Sequence, residues 1–137
     1  MKRKSLMLVM VLGLFISTTS AFAENWIEYY HAPLICASFD ADRVTVVDNK
    51  IDYFSRDTYD PPYYGKKYLF QHNQMSYRNG AWQIRVIESW FINIDGSKTI
   101  TPGPFPTEWQ VMDWADTPHG KALISGLLKY HKGTLYL

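Results

Sequence analysis

Asn79-Gly80 separates two long runs, Lys67 to Arg78 and Ala81 to Asn93, in which apolar residues recur at alternate positions. Asn-Gly readily supplies the two positive φ angles of a tight hairpin turn, so the dipeptide sets both an antiparallel hairpin and its register. With Arg78 opposite Ala81, Tyr77 meets Trp82, Met75 meets Ile84 and Leu69 meets Trp90, while Val86 joins the same side. One face of the hairpin is therefore apolar. The other carries Ser76, Gln74, His72, Gln83 and Arg85 near the turn, and Phe70, Tyr68 and Phe91 at the far end. Glu88 and Gln71 interrupt the apolar face together. Either a mutual hydrogen bond or a bulge that turns them outward accommodates them, and neither needs a catalytic carboxylate.

The rest of the chain reads as short strands followed by one helix. Trp26 to Tyr30 is aromatic and β-branched enough for a strand, and an irregular stretch follows around Pro33. Arg43 to Val47 and Lys50 to Tyr59 form a second hairpin across Asp48-Asn49, with Val46 opposite Ile51 and Val44 opposite Tyr53. Asp95-Gly96 turns the chain into a further strand, Ser97 to Thr101. Pro102, Pro104 and Pro106 then end the strand pattern, because proline cannot donate to a ladder. Asp116-Thr117-Pro118 starts a helix, with Thr117 as N-cap and Pro118 at the first helical position, and Gly133 stops it. Leu123, Ile124, Leu127 and Leu128 make one apolar stripe that needs a sheet face to cover. The pattern is that of an α+β chain.

The 137 residues suffice for one domain after a leader. Lys2, Arg3 and Lys4 precede an apolar run from Leu6 to Ile16 and the small-residue signature Ala21-Phe22-Ala23, which together read as a signal peptide over residues 1–23. Cleavage between Ala23 and Glu24 leaves residues 24–137 as the folded domain. Removing three of the 14 basic residues against 13 acidic ones leaves a formal charge of −2, so the electrostatic footprint of a nucleic-acid binder is missing. The apolar run is too short to cross a bilayer, which takes roughly 20 residues, and no membrane span is expected once the leader is gone. The expected location is periplasmic, cell-surface or secreted.

Reaction centres are not visible. Cys36 is the single cysteine, reads as a small buried apolar side chain, and lies too far past the apolar run to become a lipidated N-terminus. His31, His72, His119 and His131 are scattered and form no metal-binding motif. Asp113, Asp116 and His119 fit helix-start chemistry, and Asp40 with Asp42 fits a turn better than a calcium loop, because Arg43-Val44 stands where further oxygen ligands belong. No nucleophile elbow or phosphate loop occurs, so neither an enzyme nor a cofactor nor a metal is expected. What remains is aromatic loop chemistry. Tyr63 and Tyr64 follow Asp60-Pro61-Pro62, and Phe105 and Trp109 flank the later prolines. Tyr and Trp on loops offer large contact area with a polar handle, which makes these four the candidate contacts for a partner.

The order of W-I-E-Y-Y, F-D-A-D-R-V, I-D-Y-F-S, the long N-G hairpin, the D-G turn, T-E-W-Q-V-M and D-T-P-H-G-K-A-L resembles the surface-adhesin protein E-like family, over roughly Trp26 to Lys129. Trp109, Val111, Asp116-Thr117-Pro118 and Gly120 carry the most specific part. The resemblance implies a single antiparallel sheet of about six strands with the C-terminal helix packed on one face. It also implies an exported bacterial protein that dimerises and binds host matrix or serum proteins. Relatives carry a cysteine pair where Tyr77 and Lys129 stand here, and the family supplies no ligand-contact motif, so no binding residue is carried over. The sequence therefore predicts a non-enzymatic binding module with a protein partner, either a host protein or another protein of the bacterial envelope; a small hydrolase is the remaining class. Edge strands predict a homodimer.

Overall fold

The computed structural model describes residues 24–101 and 108–137. The predicted leader, Ala23 included, and Phe105 lie outside these residues. The strands are β1 (Trp26–Ala32), β2 (Ile35–Asp40), β3 (Thr45–Val47), β4 (Lys50–Tyr63), β5 (Lys66–Arg78), β6 (Ala81–Asn93), β7 (Lys98–Ile100) and β8 (Gln110–Val111), and the helix is α1 (Pro118–Tyr130). The α+β class holds. The described residues form one sheet of eight strands, not six, in the order β1-β2-β4-β5-β6-β7, with β3 also on β4 and β8 also on β6. All the strand pairs are antiparallel. The long strands β4, β5 and β6 form the frame; β2 and β3 share the outer edge of β4, and β7 and β8 share that of β6.

The two strands beyond the expected six have different origins. β2 occupies the stretch read as irregular after Pro33. Its Ala37, Ser38, Phe39 and Asp40 are all buried, so neither face alternates with solvent and no period of two can be read. β8 is two residues long and is held by its edge pairing to Gln83 and Ile84. β4 also runs four residues further than Tyr59, through Asp60-Pro61-Pro62 to Tyr63. The prolines there fall between Thr58↔Tyr68 and Tyr63↔Lys66, where the register shifts and no ladder donor is required.

The Asn79-Gly80 hairpin forms as its sequence dictates. Asn79 and Gly80 take φ of 53° and 76°, and Arg78↔Ala81, Tyr77↔Trp82 and Met75↔Ile84 are all in register. Beyond Asn73↔Val86 the pattern changes, because Ile87 is an extra residue and His72 pairs with Glu88. Leu69 therefore faces Phe91, and Trp90 faces Phe70, which corrects the expected Leu69 and Trp90 pairing. The bulge also leaves Ile87 and Glu88 exposed. In the other hairpin Val46↔Ile51 is in register, while β3 begins at Thr45, so Val44 precedes the ladder although it is fully buried.

Helix α1 closes one face of the sheet. The Thr117 hydroxyl accepts from Gly120 N at 3.1 Å, the expected N-cap, and Leu123 and Leu127 are buried. They join Phe39, Val44, Ile51, Tyr53, Met75 and Met112 in one core, with Ile124 and Leu128 packed at its margin. Gly126 lets the helix approach closely: a β-carbon there would lie 2.7 Å from Cε1 of Phe39. After α1 the chain is tied to the sheet. Lys132 N donates to Val44 O at 2.9 Å, Val46 N donates to Lys132 O at 3.0 Å, and Tyr136 N donates to the Asn49 side chain at 2.7 Å.

Candidate functional site

The face of the sheet turned away from α1 is built by simple alternation. In β4, Ile51, Tyr53 and Ser55 point toward the helix, so Asp52, Phe54 and Arg56 point the other way. The register brings Gln74, His72 and Phe70 of β5 beside them. The Ile87 bulge adds Trp90 to this side, and Trp26 comes from the first strand.

The rings on this face are packed on one another and on cations. Phe70 stacks on Trp90 with centroids 5.7 Å apart and planes 7° apart, and Trp26 meets Phe70 edge-on at 5.7 Å. Phe54 stacks on His72 at 4.5 Å. Arg43 lies 4.1 Å over Phe54, Arg56 lies 4.6 Å over Trp26, and Lys98 lies 4.7 Å over Trp90. These are cation–π distances, in which the ring face attracts the positive charge. A polar relay continues toward the Asn79-Gly80 end. Both Asp52 carboxylate oxygens are 2.8 Å from His72 Nε2, Gln74 Nε2 donates to Asp52 at 2.9 Å, and Arg85 donates to Gln74 Oε1 at 2.6 and 2.9 Å. Arg85 in turn lies 4.7 Å over the ring of Trp109.

Of the sequence candidates among the described residues, only Trp109 belongs to this face, half-buried beside Arg78 and Arg85. Tyr63 and Tyr64 are not in a loop held off the ladder by proline. They form the tip of the β4–β5 hairpin, where Tyr64-Gly65 is the two-residue turn, and Tyr64 is 83% exposed. Trp109 stands level with Arg85 and its partner Gln74, eight residues along β5 from Lys66 at that tip, about 26 Å away at roughly 3.3 Å per residue, so the candidates do not form one surface. Glu24 accepts from Trp26 Nε1 at 2.6 Å. Sequence reasoning missed Trp26, Phe54, Arg56 and Trp90. Alternation within β4 could have found Phe54 and Arg56, whereas Trp90 required knowledge of the bulge.

A small cavity of about 140 Å³ lies on the other face, below the start of α1. Beyond Tyr53 the helix-facing positions turn polar, to Ser55, Asp57, Gln71 and Asn73, and these with His119 and Tyr29 line it. Asn73 donates to Ser55 at 3.1 Å, and its carbonyl oxygen is buried with no partner among the described residues. His119 Nε2 is 3.2 Å from the Tyr29 hydroxyl, and its ring stacks on Tyr30 at 4.6 Å. Burial pushes the Asp57 carboxyl up to about 6, raises the Tyr29 and Tyr53 hydroxyls, and lowers the His119 imidazole. Each shift favours the neutral form, so the cavity suits a small polar guest better than an ion.

The polar cluster around Asp40 is structural. Asp40 caps the turn that follows β2, accepting from Asp42 N at 3.0 Å and Asn25 N at 3.1 Å and pairing with Arg43 at 2.6 Å. Among the described residues no helix is long and apolar enough to cross a membrane. No family model matches the chain, and no curated protein or solved structure matches it either.

Proposed function

We propose that this chain is a non-enzymatic binding module that holds a protein partner on the sheet face opposite α1. One observation carries the reading: Arg43, Arg56 and Arg85 each lie over an aromatic ring on that single face. Arginine and aromatic side chains dominate the energetics of protein interfaces. Here they are already stacked, so little side-chain freedom is left to lose when a partner docks. Gln74 holds one edge of Arg85 and Asp40 one edge of Arg43, which fixes the guanidinium planes that the carboxylates or carbonyls of a partner would meet.

The exported leader and the adhesin-like motif order point to a host matrix or serum protein as the partner. Solid-phase binding of the purified protein to a panel of such proteins tests this. Saturable binding at or below about micromolar concentration is expected, with a loss of at least tenfold, about 1.4 kcal/mol, for Phe70→Ser or Arg56→Ser. Absence of saturable binding across the panel rejects the adhesin reading. Protection of the protein from protease added to intact cells favours an envelope partner instead.

A hydrolase is the second reading, and the cavity that contains Asp57 and His119 is what favours it. Turnover that disappears in both Asp57→Asn and His119→Ala, with the fold intact, would establish it in place of the binding module.

A further inference from the structure

We infer that the β1–β2 hairpin carries a three-ligand site for a divalent cation of the zinc class, made by the Glu28 carboxylate, the His31 imidazole and the Cys36 thiolate. The inference is independent of the protein-binding reading.

Local backbone geometry assembles the three donors. In a regular strand, residues three apart point to opposite faces, so Glu28 and His31 would be separated by the sheet. The register of β1 with β2 shifts between Glu28 and Tyr30, which makes Tyr29 an extra residue. The bulge has two effects. Tyr29 and Tyr30 both turn toward α1, where each stacks on His119. Glu28 and His31 both turn to the opposite side, and His31 is in register with Cys36. One oxygen of Glu28, one ring nitrogen of His31 and the sulfur of Cys36 then lie within 4.8 Å of one another, with Glu28 Oε1 3.3 Å from His31 Nδ1.

Tetrahedral zinc with bonds of roughly 2.0 to 2.3 Å places its ligand atoms about 3.3 to 3.6 Å apart. Closing from 4.8 Å to that separation needs only side-chain rotation, and the His31 side chain is 72% exposed and free to make it. The donor set selects the cation. A thiolate with an imidazole suits zinc-class ions and disfavours calcium or magnesium, which take oxygen shells. Electrostatics point the same way. The Glu28 carboxylate, within reach of both other donors, supplies the negative charge that attracts the ion. Binding displaces the thiol proton to solvent and involves no redox step. A cavity of about 220 Å³ adjoins His31 and Cys36, bounded by Thr58 and Asp60, and leaves room for a fourth ligand such as water. Three protein ligands with one open position describe an exchangeable site, not one on which the fold depends.

Cobalt(II) added to the reduced protein tests the site by absorption. One equivalent should produce a near-ultraviolet thiolate-to-cobalt charge-transfer band together with the visible bands of tetrahedral cobalt, and zinc should abolish both by competition. Cys36→Ser should lose the charge-transfer band, and Glu28→Gln and His31→Ala should each weaken binding at least about tenfold. These side chains lie outside the core, so the variants should keep the thermal unfolding profile of the parent. Absence of the charge-transfer band, or a band that survives His31→Ala and Glu28→Gln undiminished, overturns the assignment. Cobalt binding that is lost in His131→Ala but kept in His31→Ala overturns it as well, by moving the ion elsewhere.

Discussion

The two faces of this sheet are made by the same strands and contain similar numbers of rings, yet they are different materials. On the side of α1, Tyr53, Phe39 and Met75 are packed by aliphatic side chains from the helix, and water is excluded. On the other side Trp26, Phe54, Phe70 and Trp90 are half-buried and packed by one another and by arginines. Aromatic content by itself therefore does not mark a core. What a ring is packed against separates stability from recognition, and substitutions on the two faces should separate in the same way.

The largest effect belongs to the helix side. Leu127→Ala removes a fully buried side chain from the centre of the apolar stripe and should cost about 2–5 kcal/mol in denaturant unfolding. A loss below about 0.5 kcal/mol would break the comparison by showing that α1 is not the seal of that face.

The polar end of the same face should respond to pH. The Asp57 carboxyl stands near 6 in the folded chain, above the usual value of about 3.9 expected when unfolded. The folded protein thus holds a proton that the unfolded chain releases. Its contribution is complete below about pH 4, declines as pH rises toward 6, and totals about 2–3 kcal/mol. Asp57→Asn should flatten that part of the stability curve. A variant and parent with parallel curves between pH 4 and 7 would place Asp57 in water.

Gly126→Ala opposes two effects. Alanine gains about 1 kcal/mol of helix propensity, while overpacking costs about 1–3 kcal/mol. Because the ring it would meet belongs to Phe39, which is fully buried, the overlap should win and the melting temperature should fall. A rise would mean that Phe39 steps aside freely.

The smallest stability effect is expected on the open face, where Arg56→Ala should change unfolding free energy by no more than about 1 kcal/mol while still weakening partner binding. Stability and binding falling together by several kcal/mol would erase the distinction between the faces. A further check concerns the free edge strands, β1 and β7: light scattering should show a concentration-dependent dimer, and a monomer throughout would mean that these edges remain unpaired.

The elements that were legible in the sequence are those with a local rule. Thr117-Pro118, the Leu123 to Leu128 stripe and Asn79-Gly80 each act within a few residues, and the structure realises them as read. The class of the fold followed from them. The strand count did not, because β2 is buried on both sides and β8 depends on its edge pairing. Both functional surfaces depend on bulges. The extra residue at Ile87 is signalled only by Glu88 interrupting the apolar face, for which a bulge is one of two explanations, and that at Tyr29 has no sequence signature such as glycine. Each changes which side chains are neighbours over several residues, and a reading by strict alternation assigns Trp90 and Glu28 to the wrong company. Tyr63 and Tyr64 were found as exposed rings, but their distance from Trp109 along the sheet was not visible in their spacing.

The Ile87 bulge has a consequence for the length of the chain. Deleting that one residue would set Val86 and Glu88 consecutively opposite Asn73 and His72 and leave every later side chain on its present side, whereas keeping it and pairing straight through it would act as a frameshift written in space: every side chain from Glu88 to the end of β6 would exchange sides. In that second case Trp90 would move to the helix side, Phe91 would take its place among the arginines, and the composition of both surfaces would change without alteration of a single amino acid.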